Sequence, residues 1–150
     1  MKSISIFVVI LFSQSVFAKS EANSNDASMV CMNLYSIVAS AFKYKSEGKT
    51  KKEMLMPLPL KEELNKYPEN RAKAKILGLQ MHAAIEDIYE IEGLSVAAYA
   101  AYRAETCYRI TTSKPIHESL KSVKQGLLSC SSLTNKEQVA CGLKFANPNS

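Results

Sequence analysis

Residues 94–110 of this sequence read LSVAAYAAYRAETCYRI. Ser95 can cap a helix that begins at Val96, because its hydroxyl can accept a hydrogen bond from a backbone N–H of the first turn. The residues that recur at helical spacing on one face are small, namely Ala97, Ala100, Ala104 and Cys107. Small side chains let a neighbouring helix come close. The stretch therefore predicts a helix over 96–110 that packs tightly against another helix.

Tyrosine and arginine share the same segment. If the alanine face points inward, Tyr102 and Arg109 point largely toward solvent, with Tyr99 and Arg103 on the flanks. Tyr and Arg are the residue types that dominate the binding energy of protein interfaces. We therefore predict a partner-binding surface made of Tyr99, Tyr102, Arg103 and Arg109. The alternative is a central helix whose flanks are covered by the rest of the fold.

The rest of the chain also has helical periodicity. Cys31, Leu34, Val38 and Ala41 predict a helix over about 29–46 that ends at Gly48. Further long helices are predicted over about 69–92, ended by Gly93, and over 115–129. Short helices begin at capping-box patterns after Thr50 and Thr134, the second ending at Gly142. Residues 60–67 have room for a further turn or two. The sequence thus predicts an all-α bundle of four main helices plus two short ones.

The N-terminus has the order of residues found in a signal peptide. Lys2 precedes an apolar run over 4–12, and Val16 and Ala18 suit cleavage after Ala18. The run is about half the roughly 20 apolar residues that a membrane span needs, and we expect no transmembrane segment later in the chain. We predict a signal peptide over 1–18, a flexible segment over 19–28 and a single helical domain over 29–150, located in the periplasm.

Four cysteines lie beyond the predicted cleavage site, at Cys31, Cys107, Cys130 and Cys141. An even count after a signal peptide predicts two disulfides. Helices 96–110 and 115–129 would form an antiparallel hairpin. Cys107 and Cys130 would lie about 20 Å apart at its opposite ends, too far for a bond. Two schemes remain. Pairing of Cys31 with Cys107 and of Cys130 with Cys141 is favoured, and pairing of Cys31 with Cys130 and of Cys107 with Cys141 stays open.

The positive charge of the chain is mild, at a formal +5. This charge permits contact with anionic partners but does not require it. A location in the periplasm argues against nucleic acid as a partner. The basic residues concentrate around the end of the first helix. They predict either an anionic-surface contact or a solvated helix end, and they are Lys43, Lys45, Lys49, Lys51 and Lys52.

Two patterns carry chemistry in other proteins. His82, Glu86 and Glu90 share one helix face and could ligate zinc, but further ligands are not evident, so a solvated face is favoured and no metal is predicted. The segment 93–97 resembles a degenerate nucleophile elbow around Ser95, but a helix precedes it where an elbow needs a strand. We predict neither a catalytic residue nor a cofactor.

The chain resembles small uncharacterised exported helical proteins of proteobacteria. In these proteins a cysteine-bearing helix ends near a glycine, and a long helix with a central tyrosine precedes a second cysteine. The matching residues are Cys31, Gly48, Tyr89 and Cys107, so the resemblance covers about residues 29–110. It implies an exported helical fold and brings no activity with it. At the level of architecture, the chain is also similar to small periplasmic immunity proteins that neutralise secreted cell-wall amidases.

These features together predict a non-catalytic periplasmic protein that binds another protein, such as an inhibitor or an immunity factor. The alternative is an envelope-stress or chaperone-like protein that acts on lipid or misfolded chains through exposed apolar surface. An enzyme of unknown class is the third reading. A flat Tyr/Arg patch would favour the first, an open apolar groove the second and a deep polar cleft the third.

Overall fold

The computed structural model describes residues 15–150, with side chains from Ser28 onward. This part of the chain is helical and holds no strand, which confirms the all-α prediction. Short 3-10 turns run over Glu69–Arg71, Leu120–Ser122 and Cys130–Ser132. The α-helices are α1 Ser15–Ser46, α2 Lys51–Leu55, α3 Lys61–Asn65, α4 Ala72–Glu90, α5 Val96–Thr111, α6 Lys124–Ser129 and α7 Asn135–Ala146.

Helix α5 lies at the centre of the fold, in contact with α1, α4 and α7. It runs antiparallel to α1, because Phe42 late in α1 meets Tyr99 early in α5, with ring centroids 6.0 Å apart. The alanines of α5 let three neighbours approach closely. The predicted cap is confirmed, since the Ser95 hydroxyl accepts from the Ala98 N–H. Two of the three predicted closing glycines have positive φ, 87° at Gly48 and 81° at Gly93.

The cysteines form the favoured pairs. Cys31 bonds Cys107 and Cys130 bonds Cys141, with Cα–Cα distances of 5.6 and 6.0 Å that suit disulfides. The first bond ties α1 to the far end of α5, and the second ties the turn after α6 to α7. In a chain-entropy model, the Cys31–Cys107 bond stabilises the fold by about 4–5 kcal/mol and the Cys130–Cys141 bond by about 3 kcal/mol.

The predicted helix over 115–129 is wrong. The chain leaves α5 through Ser113, whose φ of 55° is left-handed. The guanidinium of Arg109 then binds the Pro115 carbonyl at 2.6 Å, which draws that segment against α5. Residues 114–117 adopt no regular secondary structure. Only the six-residue α6 forms, at the end of the predicted range.

The fourth long helix is instead α7, which continues four residues past its predicted end at Gly142. Gly142 does not take the left-handed conformation of a helix-ending glycine. It is buried where α7 crosses α5, and a Cβ placed there would lie 2.0 Å from the Ala98 carbonyl oxygen. Close packing, not helix termination, is the reason for a glycine at this position.

Helix α1 begins earlier than predicted, at Ser15 and not near residue 29, and so it includes the segment 19–28 that we expected to be flexible. The sequence gives a reason, because no glycine or proline interrupts the chain between Ser15 and Gly48. The apolar run over 4–12 lies outside the described residues. Cleavage after Ala18 stays a prediction.

Candidate ligand-binding groove

The predicted partner-binding residues lie inside the protein. Tyr99 is fully buried, Tyr102 is 4% exposed, and Arg103 and Arg109 are also buried. The expectation that Tyr102 and Arg109 face solvent is therefore wrong, and the alternative of a central, covered helix holds. The cover comes from α4 on one flank and α7 on the other. These four residues offer no preformed surface to a partner.

Arg103 instead forms a buried ion pair between α5 and α4. Its guanidinium donates to the Asp87 carboxylate, to the Tyr99 hydroxyl at 2.7 Å and to Gln80 at 3.2 Å. Burial opposes the charge on Arg103, but its interactions with Tyr99 and Asp87 outweigh burial and raise the pKa of Arg103 above its ordinary value. Breaking such a pair by removing one partner leaves a buried charge uncompensated. The pair therefore locks α4 to α5.

Tyr99 completes this network. Its hydroxyl donates to Asp87 and accepts from Arg103, so both sides of the hydroxyl are satisfied. Burial raises the pKa of Tyr99 well above its ordinary value, and burial also raises the pKa of Tyr102. Both groups thus stay neutral through the physiological range. Their place in the fold indicates a structural role, not acid–base chemistry.

The basic residues near the end of α1 do not form one uniform patch. Lys43 lies 3.8 Å from Glu47, and Lys51 lies 3.2 Å from Glu90. Lys45 donates to the Ile88 carbonyl near the end of α4, at 2.6 Å. The Lys49 ammonium lies over the ring of Tyr44, 4.5 Å from its centroid, and Lys52 is exposed. Three of the five lysines thus have ion-pair or hydrogen-bond partners. Lys49 lies beside the exposed ring of Tyr44 and near Glu53, whose pKa is lowered by hydrogen bonds from Thr50 and, to a smaller extent, by the Lys49 charge.

The residues considered for metal binding or nucleophilic catalysis have structural partners. The ring of His82 is buried and bonds the Pro59 carbonyl at 2.8 Å. Glu86 pairs with Lys61 and Glu90 with Lys51. The Ser95 hydroxyl caps α5 and donates to Gln138. Within residues 28–150 no three His, Cys, Asp or Glu side chains are grouped so as to hold a metal ion.

An open apolar groove lies between α1 and α4. Its α1 wall is formed by Ile37, Ala41 and Tyr44, at the i, i+4 and i+7 spacing of one helix face. Met81 and Ile85 of α4 form the opposite wall. The volume is about 320 Å³, at the lower end of the range of small-molecule clefts.

The floor of the groove is the chain that follows α2. Pro57 and Pro59 prevent α2 from continuing. Met54 in the last turn of α2, and Pro57 and Leu58 in the turn after it, line the groove. The same segment leaves large apolar side chains exposed beside it, with Met56 78% and Leu60 61% exposed. The segment 54–60 therefore extends the apolar surface beyond the groove itself.

The sequence contained one signal for this groove. The apolar stripe of α1 is wider than one neighbouring helix needs, because Ile37 lies outside the line of Leu34, Val38 and Ala41 that faces α5. The sequence pattern does not predict the path of the segment 54–60, part of which lines the groove. Sequence spacing fixes a helix face, but it does not fix where a proline-containing loop folds back.

Comparison with known proteins finds no matching family model, no similar curated protein and no similar solved structure. The resemblance to small exported proteins of proteobacteria, carried by Cys31, Gly48, Tyr89 and Cys107, thus stays a prediction. In residues 15–150 no helix is both long enough and apolar enough to cross a membrane. Among the features of residues 28–150, the groove is the one that points most directly to a function.

Proposed function

We propose that the protein is an exported, non-catalytic protein that binds an apolar ligand in the groove between α1 and α4. The observation that carries this proposal is the groove itself, an open cleft lined almost wholly by apolar side chains. Leaving such a surface in water costs free energy, about 25 cal/mol for each Å². Contiguous exposed apolar surface in a folded protein commonly marks a binding site.

The walls of the groove are held rigidly, which supports a binding role. Helix α1 is tied to α5 by the Cys31–Cys107 disulfide, and α4 is tied to α5 by the Arg103–Asp87 ion pair. Both walls are thus fixed to the same central helix. A preformed site loses less conformational entropy when a ligand binds, so more of the contact energy appears as affinity.

The lining also suits ligands of varied shape. Met54 of α2 and Met81 of α4 both line the groove. Methionine has three rotatable bonds and a polarisable sulfur, so it adapts to irregular apolar partners. The residues considered for catalysis, such as Ser95 and Glu86, are occupied by hydrogen bonds within the fold. A binding role accounts for both observations.

The test uses a dye, anilinonaphthalene sulfonate, whose fluorescence rises in apolar sites. We expect saturable binding to the wild-type protein. Ser40 lines the groove and its hydroxyl donates to the Ser36 carbonyl within α1, so Ser40→Phe fills the groove without breaking the fold. This variant should bind at least about tenfold more weakly, a loss of about 1.4 kcal/mol.

The matched control is Ser122→Phe. Ser122 is also exposed and also donates to a nearby backbone carbonyl, that of Ser119, but it lies in a 3-10 turn and does not line the groove. We expect this variant to bind the dye like the wild type. Equal binding by Ser40→Phe and the wild type would overturn the proposal.

A second candidate function is the binding of another protein, as an inhibitor or immunity factor would do. It is favoured by a separate apolar patch where Met29 and Met32 of α1 and Leu143 of α7 are exposed. Met32 and Leu143 line one small cleft, about 18 Å along α1 from Tyr44. Partner capture from periplasmic extract should be lost in Met32→Lys and kept in Ile116→Lys, a control at another exposed apolar residue. Capture that is equal in both variants would exclude this patch.

A further inference from the structure

We propose that the ligand of the groove is a single acyl chain that carries an anionic head group, as in a fatty acid. This inference rests on the proposed function, because it names the chemical class of the molecule bound at the same site. Three features of the groove carry it: the scarcity of hydrogen-bonding groups, the volume, and the position of one ammonium group.

The lining residues offer few free hydrogen-bonding groups to the backbone of a bound peptide. Its polar side chains are Ser36, Ser40 and Tyr44, and the Ser40 hydroxyl is already used within α1, at 2.9 Å from the Ser36 carbonyl. An extended peptide would bury its own N–H and C=O groups here without partners, which is unfavourable. A chain of methylene groups has no hydrogen bonds to lose. The lining therefore favours a hydrocarbon over an extended peptide.

The size of the groove fits one acyl chain. Its volume is about 320 Å³, room for about ten groups of the size of a water molecule or a methylene, at roughly 30 Å³ each. An α-helix with its side chains is about 10–12 Å across, and a stable protein interface is much larger than this cleft. A medium-length chain fills the space, and the further carbons of a longer chain would lie outside the groove.

A positively charged side chain, that of Lys49, lies near the groove. The Lys49 ammonium lies 4.5 Å from the ring centroid of Tyr44, and Tyr44 lines the groove. The loop that carries Lys49 is itself held in place, because the Tyr89 hydroxyl of α4 donates to the Lys49 backbone carbonyl. A carboxylate at this end of a bound chain would meet the ammonium while its methylenes stay in the groove. The charge thus complements an anionic amphiphile.

The experiment is calorimetric titration of the oxidised protein with octanoate, decanoate, dodecanoate and tetradecanoate, each below its micelle concentration. Each buried methylene should tighten binding by about fourfold. The gain should level off once the chain exceeds about ten carbons, when the groove is full. A series with no dependence on chain length would overturn the inference.

The head group is tested with Lys49→Gln. This variant should bind dodecanoate about two- to fivefold more weakly, the size of effect expected for an exposed charge pair. It should bind the uncharged dodecanol like the wild type. Lys121→Gln, an exposed lysine in the turn before α6, is the control and should change neither ligand. Equal binding of dodecanoate by wild type and Lys49→Gln would refute the role of Lys49 and with it the anionic head group.

A final arm separates this inference from the proposed function. An amphipathic helical peptide made of leucine, alanine and glutamate is titrated in parallel with the fatty acids. Peptide binding that Ser40→Phe abolishes, without any fatty-acid binding, would overturn the acyl-chain ligand and leave the groove as a binding site. Failure of the dye, the peptide and the fatty acids alike would overturn both.

Discussion

Replacement of Gly142 by alanine should destabilise this protein, although the same change in most helices stabilises them. Gly142 lies within α7, where Ala would ordinarily be favoured over Gly by about 1 kcal/mol. Here the new Cβ would lie 2.0 Å from the carbonyl oxygen of Ala98 and 2.8 Å from its carbonyl carbon. Both atoms belong to the backbone of α5. No side-chain rotation can relieve the clash, so the two helices must separate.

The magnitude follows from that separation. A carbon and a carbonyl oxygen meet comfortably at about 3.3 Å, so α7 must move away from α5 by roughly 1.3 Å at this point. A gap of about 1 Å already forfeits a quarter to a half of the dispersion energy of the atoms that line it. Overpacking of this kind costs about 1–3 kcal/mol. Because α5 and α7 form the most extensive helix contact of the fold, we expect the upper end of that range.

Urea unfolding monitored by circular dichroism measures this prediction. Gly142→Ala should lower the free energy of unfolding by about 2–3 kcal/mol and the melting temperature by roughly 10 °C. Gly78→Ala is the control. Its Cβ would meet only the terminal methyls of Leu64, at 2.7 and 2.8 Å, and these can rotate away, so its stability should stay within about 1 kcal/mol of the wild type. A Gly142→Ala protein as stable as the wild type would refute the packing argument.

Three further predictions follow from the core and the N-terminus. Tyr102→Ala should cost roughly 3–5 kcal/mol of stability, because it empties a buried site in α5; a near-unchanged melting temperature would contradict this. Burial raises the pKa of Tyr99 above 10, so the stabilisation by its neutral form is present below pH 10 and is lost as the pH rises through the raised value. Unfolding at increasing pH should therefore show a steeper loss of stability above pH 10 in the wild type than in Tyr99→Phe, and equal slopes would count against it. Intact-mass measurement of the periplasmic protein should show a chain that begins at Lys19, and a retained Met1 would disprove cleavage after Ala18.

Local signals in the sequence identified most of the helix boundaries. The N-cap at Ser95, the capping box at Thr50 and the closing glycines at positions 48 and 93 each act within one turn of backbone. The favoured cysteine pairing was also confirmed, although the predicted helix lengths excluded only a Cys107–Cys130 bond and left a second scheme open. What sequence reasoning missed was the segment that follows α5. There the Arg109 side chain donates a hydrogen bond to the Pro115 carbonyl. This contact joins two segments of the chain, and no local sequence pattern predicts it.

The error over Tyr102 and Arg109 has the same origin, and it explains why the site was misplaced. We took Ala97, Ala100 and Ala104 as the inward face of α5, so the opposite face had to be solvent. The sequence also has alanine at 98 and 101, which places small residues around most of the helix. A helix with small residues on every side is one that several neighbours can approach, and α1, α4 and α7 all do so. With most of α5 covered, Tyr99, Tyr102, Arg103 and Arg109 lie in the core, and most of the exposed apolar surface belongs to the other segments. A binding site in this fold is therefore expected between the outer helices, and the groove lined by α1, α4 and the segment 54–58 lies there.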